Sequence, residues 1–492
     1  MRNIVAIWLL LTVSACMPEI PKGDPSETDT TNIVKVNPLD TNTLPPVITP
    51  VLDTIKPREV VKEYTSLVEA LKEPEKVQRL NLTNYGPKNN ALTRFPEEIV
   101  QFTNLKILFL TNNQISEIPA TINQLTNLEY LDVSYNRLRT LPDEVSQLIH
   151  LQTLSLHHNP QLAELPPNIG KLTNLEKLEA SYCNIFDIPQ SISKLQNIKE
   201  LDLDNNYIET FPEGITQLTS LNVLRLFNNK FNELPSSFSR LINLKTLVLS
   251  YIPLRNIAQD LEKIKSPNLE TLELAHLNLK NIPDQISTFS KLRELNLGDN
   301  PLQLSLHDLQ IIQKITRIET LNLYKCALTQ LPTNLEYLNS IKELVLNGNK
   351  FADFNTELVK LSKLLSLTKL DLEDCNISDV PNSIGSLTKL RALDLSSNKI
   401  KTLPTSIGSL INLQQLDLDD NKIESLPTEI GRLQHLEVLF LNVNYLTTLP
   451  ESMKQLRFLK RLYLDTNGFT PQEIAKIRQW LPNCIVIAHP GK

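Results

Sequence analysis

Apolar residues recur along this chain with a period of 23. In "LKILFLTNNQISEIPATINQLTN", which starts at Leu105, they hold positions 1, 4 and 6, then 11, 14, 18 and 21, with Asn at position 9 and Pro at position 15. The same register restarts at Leu128, Leu151, Leu175, Ile198, Leu221, Leu244, Leu269, Leu292, Ile318, Ile341, Leu367, Leu390, Leu413, Leu436 and Leu459, after an irregular first copy at Val77, so the chain carries seventeen copies. Positions 4 and 6 alternate with 3, 5 and 7, which predicts a short strand with 4 and 6 facing inward and the odd positions outward. Stacked copies predict one parallel sheet with strands ~4.8 Å apart. The second half of each copy returns along the other side and drops positions 11, 14, 18 and 21 into the same core. A single copy cannot bury its leucines; its neighbours do that for it.

Asn at position 9 stands where the chain turns off the strand. Its amide both donates and accepts, so it can satisfy loop groups that burial would leave unpaired. It recurs in eleven copies, from Asn113 to Asn467, while Cys183, Cys326 and Cys375 take its place in copies that are never adjacent. Those three cysteines are expected to be buried ladder residues, not disulfide partners or metal ligands. The spacing L-x-x-L-x-L-x-x-N-x-L resembles that of leucine-rich-repeat proteins. The "LPxxI" second halves resemble the 23-residue class common in bacterial members and in the Ras-binding group. The resemblance covers 77–483, about 407 residues. It implies an α/β solenoid, a leucine-rich-repeat horseshoe with a parallel sheet on its concave face. It also implies a short N-terminal capping helix and a C-terminal cap, the latter over 484–492, where "LPNCIVIA" carries Cys484. A solenoid grows without splitting its core, so the 492 residues need not form several domains.

The chain ahead of the repeats has a different character. Arg2 precedes an apolar run, Ile4 to Val13, and small residues Ser14 and Ala15 lead to Cys16. This reads as a signal peptide over 1–15, and the run is shorter than the ~20 residues of a membrane-spanning helix. "VSAC" resembles a bacterial lipobox, which implies lipidation of Cys16; ordinary cleavage after Ala15 is the alternative. Residues 16–57, rich in Pro, Thr, Asp and Asn without a period, read as a disordered tether. Over 58–76 a cap helix is expected within "YTSLVEALKEPEKV", with Ser66 and Glu69 as a capping box and Pro74 as its stop.

If the constant letters are scaffold, function lies in those that drift. Position 8 runs Asn112, Tyr135, His158, Tyr182, Asn205, Asn228, Tyr251, His276 and Asp299, and position 5 includes Asp132, Glu179, Asp202, Arg225 and Glu273. Read as outward strand positions, they present rings beside carboxylates, with Tyr130, His157 and Phe227 adding to the set. Binding surfaces favour such residues, although strands favour aromatic side chains in any case. The candidate partner-binding residues are Tyr135, His158, Tyr182, Asp202, Arg225 and Tyr251. A second patch holds Asp371, Glu373, Asp374, Asp394, Asp417, Asp419 and Asp420. A basic partner, a calcium ion or a need for soluble charge would each account for it. The copies at Leu244, Leu292 and Ile341 run to 25, 26 and 26 residues, and position 9 becomes Ile252 and Leu277. A change of curvature, a rim loop or inconsequential drift is expected there.

A formal net charge of −6, or −7 once residues 1–15 are removed, gives no basic footprint for nucleic acid. No HExxH, CxxC, GxSxG or Walker loop occurs, and the side chains of His157 and His158 are expected to diverge. The reading is therefore a non-enzymatic protein without cofactor or metal. It would be exported and lipid-anchored in a bacterial cell envelope, monomeric, and bound to a protein partner through the concave face. The rival is a structural or adhesive envelope protein, in which length matters more than any patch.

Overall fold

The structure is a computed structural model that describes residues 61–86 and 90–489. The signal peptide, Cys16 and the whole of the tether fall outside the described residues. Nineteen strands form one sheet, and each pairs in parallel with the next in sequence. The register never slips: Leu80, Leu108, Leu131 and Leu154 are successive partners at position 4. Each repeat strand is three residues long, as at Ile107–Phe109 and Tyr130–Asp132.

The period explains this register. Leu108, Leu110, Ile115, Ile122, Leu125 and Leu128 are fully buried, whereas Ile107 and Phe109 between them are half-exposed. A one-residue slip would turn the whole leucine set to solvent. Pro at position 15 opens a 3₁₀ turn, as at Ala120–Gln124, because its fixed φ suits the entry and the turn never asks for its missing N–H.

The Asn ladder joins neighbouring copies. Asn136 Nδ2 donates to Leu110 O of the preceding copy at 2.9 Å and to Val133 O at 3.0 Å, while its Oδ1 accepts from Ile115 N at 3.0 Å. Cysteine keeps only the donor half: Cys183 Sγ donates to Leu156 O at 3.5 Å and Cys326 Sγ to Leu297 O at 3.3 Å. The amides left without an acceptor turn to their own loops, Leu162 N to Asn159 O and Leu302 N to Asn300 O. Cys183, Cys326 and Cys375 are buried and free, as expected, and burial pushes the Cys183 and Cys326 thiols up to about 12.

The long copies carry neither a rim loop nor mere drift. Their extra residues replace the 3₁₀ turn with an α-helix, at Ile257–Glu262, Leu306–Gln313 and Phe354–Leu361. Each helix presents a buried acid to an amide of the preceding copy. Asp260 accepts from Leu234 N at 3.0 Å, Asp308 from Ile282 N at 2.6 Å and Glu357 from Leu331 N at 2.6 Å. Lys263 and Lys360 neutralise the first and third of these at 2.9 and 3.0 Å.

The N-terminal end closes differently from the sequence reading, whereas the C-terminal end closes with a strand at Ile485–Ile487 in the expected segment. Glu63–Tyr64 is a strand on the sheet edge, and the helix ahead of the repeats is only Leu67–Ala70. Ser66 makes no side-chain cap bond, so the capping box does not form. Tyr64 is drawn into the sheet opposite Leu80, which leaves one turn before Pro74. At the other end the helix Pro471–Trp480 and the strand Ile485–Ile487 finish the stack.

Candidate functional site

The sheet face that carries positions 3, 5 and 7 runs into a rim formed by position 8. Position 8 is not an outward strand residue. In every copy from Leu105 onward it has positive φ, at 53° in Tyr135, 56° in His158, 53° in Tyr182 and 59° in Tyr251. The chain must bend there to enter the Asn-capped turn, and the left-handed region suits Asn, Asp and Gly. Gly348, at φ 71°, occupies the same column. A tyrosine or histidine there carries strain of about 1–3 kcal/mol. The β-propensity explanation for these rings therefore fails.

The strained rings stack. Tyr135 lies on His158 with centroids 4.1 Å apart and an interplanar angle of 12°, and His158 lies on Tyr182 at 4.3 Å and 19°. Tyr251 and His276 form a second pair at 4.3 Å and 3°. Stacking returns about 0.5–1.5 kcal/mol per pair, comparable with the strain it offsets. Tyr135 and Tyr182 still leave 46% and 44% of their surface in solvent. His157 and His158 do not diverge: both rings touch Tyr135, and their centroids are 5.6 Å apart. His158 Nδ1 is buried without a hydrogen-bond partner, and burial lowers the pKa of this ring, so it is neutral at pH 7. Tyr251 OH donates to Asp299 at 2.7 Å, and His276 Nδ1 shares the same oxygen at 2.7 Å.

Between the two stacks lies a charged cluster. Asp202 and Arg225 come together, but through a residue that the sequence reading missed. Asp204 accepts from Arg225 Nε at 2.9 Å and pairs with Nη2 at 2.8 Å, and it also accepts from Phe227 N at 2.7 Å. Asp202 accepts from Asp204 N at 3.0 Å, so its role is partly structural. Burial and the neighbouring Asp202 push the Asp204 carboxyl up to about 7, against the pull of Arg225.

The acidic patch is also assembled. Asp371, Asp394 and Asp417 are direct partners on three adjacent strands. Each accepts the position-7 amide of its own copy: Glu373 N at 3.0 Å, Ser396 N at 2.8 Å and Asp419 N at 3.0 Å. Asn296 and Asn322 serve the same purpose elsewhere in the column, so holding an amide is one reason for the carboxylates. Burial, then like charge, raises all five of Asp371, Glu373, Asp394, Asp417 and Asp419, with Asp394 at about 7 and Asp417 at about 9. Asp374 and Asp420 lie on the left-handed rim. Among the described residues no ion pair engages the five, and no group of three or more His, Cys, Asp or Glu is arranged to hold a metal. The calcium alternative thus finds no support in the geometry.

The chain resembles a solved leucine-rich-repeat protein of Leptospira interrogans at 31% identity, over 86% of this chain and 99% of that one, with a TM-score of 0.50. The chain belongs to the leucine-rich-repeat proteins. Models of this family match at 124–205 and 405–480 as a leucine-rich repeat region, and at 104–125, 197–218 and 365–423 as leucine-rich repeats. The leucine-rich-repeat fold extends to TLR13, solved with ssRNA13, at 23% identity over 84% of this chain and 62% of that one, with a TM-score of 0.63. No curated protein matches the chain.

Proposed function

We propose that this leucine-rich-repeat protein recognises another protein without chemistry, through the sheet face and the ring-bearing rim beside it. One observation carries the reading. Tyr135, His158, Tyr182 and Tyr251 sit where Asn would be relaxed, all four rings stack, and Tyr135 and Tyr182 keep nearly half their surface in solvent. Stacking offsets the strain without exceeding it, so folding gains little from rings at these positions, whereas a partner that packs on them gains contact. The protein acts as a monomer, exported by residues 1–15 and held at a bacterial envelope membrane by lipid on Cys16. The hydrophobic run before "VSAC" supports that part.

The test replaces Tyr135, His158, Tyr182 and Tyr251 with Asn, the residue found at position 8 in Asn112, Asn205 and Asn228. Crosslinking in the native envelope is compared between this variant and the wild type, with thermal melts alongside. Capture of a protein by the wild type and its loss in a variant that melts no lower supports recognition. Equal capture by both sinks the assignment to the rings. A Cys16→Ser protein that still partitions with membrane would remove the anchor.

A further inference from the structure

On the last three strands of the sheet the position-5 row is apolar, with Arg461 beside it at position 3 of the middle strand, and it adjoins carboxylates that lack a counter-ion. Along position 5 the direct strand partners are Asp371, Asp394, Asp417, Phe440, Tyr463 and Ile487. Phe440 and Tyr463 stack at 4.6 Å and 11°, and Ile485, one turn of the pleat away, is 64% exposed. Among the described residues the second oxygen of Asp371, Asp394 and Asp417 accepts no hydrogen bond. The basic side chain on the same strand as Asp371, Lys369, is already committed to Glu343 at 2.9 Å.

The same sheet shows what completes such an arrangement. At the other cluster Arg225, itself at position 5, forks onto Asp204. At the first strands the Arg79 guanidinium lies over the Phe109 ring, 5.0 Å from its centroid. A guanidinium can do both at once, with its edge on a carboxylate and its face on a ring. The border between Asp417 and Phe440 offers both surfaces, and among the described residues no cation pairs with Asp417 or lies over the Phe440 ring. We infer that this face docks an extended protein segment whose sheet-facing side chains are arginine at one end and apolar at the other, an arginine on Asp417, which lies beside the buried Asp394, and the apolar groups on Phe440, Tyr463 and Ile487. The inference rests on the recognition reading above and adds to it the chemistry of the bound segment.

Calorimetric titration of the full chain with a peptide whose alternate, sheet-facing residues are two arginines followed by two leucines, spaced by serines, tests it, with the same peptide carrying glutamate in place of arginine as control. The arginine peptide binds the wild type and weakens at least tenfold in D394N/D417N. That variant folds, because Asn296 and Asn322 already hold the same amide. F440A/Y463A weakens binding several-fold, and raising the salt weakens it wherever Asp394 and Asp417 are kept. The triple variant E97Q/E98Q/E144Q, which loses more charge elsewhere, binds as the wild type does. No binding by the wild type, equal binding by D394N/D417N, or an equal loss in the triple variant overturns the proposal. The titration needs no native partner. Its failure beside an intact, ring-dependent envelope capture therefore removes this face alone, and failure of both removes recognition as well.

Discussion

Two carboxylate clusters lie on one sheet face and differ in a single ingredient. Around Asp202 and Asp204 the protein supplies its own cation, Arg225. Around Asp371, Asp394 and Asp417 it supplies none, and burial with like charge drives those carboxyls upward, Asp417 to about 9. The backbone demands are the same, since in both clusters a position-5 acid holds a position-7 amide. Holding the amide thus accounts for an acceptor at position 5 but not for its charge, because Asn does the same at 296 and 322. The charge that remains is either balanced within the chain or left for something outside it.

Removing the internal cation tests the contrast most severely. Arg225→Met is expected to cost about 2–3 kcal/mol at pH 8, below the ~3–5 of a fully buried pair, because the Arg225 side chain is 39% exposed. The cost shrinks at pH 5, where Asp204 can keep a proton. Urea titrations at both pH values decide it, and an equal loss at each would show that Arg225 acts by packing instead.

The opposite change in the other cluster stabilises. D394N/D417N is expected to raise stability by on the order of 1 kcal/mol at pH 8 and to flatten the pH dependence. The sign follows from proton binding. With folded pKa values of about 7 and about 9 against an unfolded value of ~3.9, the native state holds protons that the unfolded chain releases. Stability is therefore full below about pH 4 and declines as pH rises toward those folded values. A wild-type protein with a flat profile between pH 5 and 8 would contradict this account.

The smallest effect belongs to the rings. Y135N/H158N/Y182N relieves left-handed strain and loses two stacks, so the terms nearly cancel, and stability should change by less than about 1 kcal/mol. A loss of several kcal/mol on thermal or urea unfolding would mean that the stack holds the fold, and that the rim is no dedicated binding surface.

The repeat itself was legible because each constant letter answers a separate demand: leucines for the core, Asn136 and its equivalents for loop amides, Pro119 and its equivalents for the return turn. The left-handed rim was not read, although its signal was present. Asn112, Asn205, Asn228, Asp299, Gly348, Asp374 and Asp420 share one column with Tyr135 and His158, and Asn, Asp and Gly in one column point to positive φ. A strand period carries no information about φ, so alternation alone placed these residues outward. Asp204 was missed because positions 5 and 7 were read as separate rows, whereas the hydrogen bond from Asp204 N to Asp202 joins them. A second ladder also went unread at the last position of a copy, where Asn127, Asn174 and Asn197 donate to carbonyls of the preceding copy at 2.9, 2.8 and 2.8 Å. The helices at Leu306 and Phe354 announce themselves through Ser305 and Asp353 as caps. The buried acids within them do not, since an acid on a helix gives no hint of which amide it will meet.

The Asn ladder couples only neighbours, and at Ile252 and Leu277 two successive copies go without it. In a stack whose cooperativity passes from copy to copy, that double omission is a seam. The ring trio Tyr135, His158 and Tyr182 falls on one side of it and the unbalanced carboxylates on the other, and amide exchange is expected to divide the two blocks there, with the sheet and the bond from Leu234 N to Asp260 as the links that still cross. A ligand that seals one block protects its amides from exchange and leaves the other block breathing at its own rate.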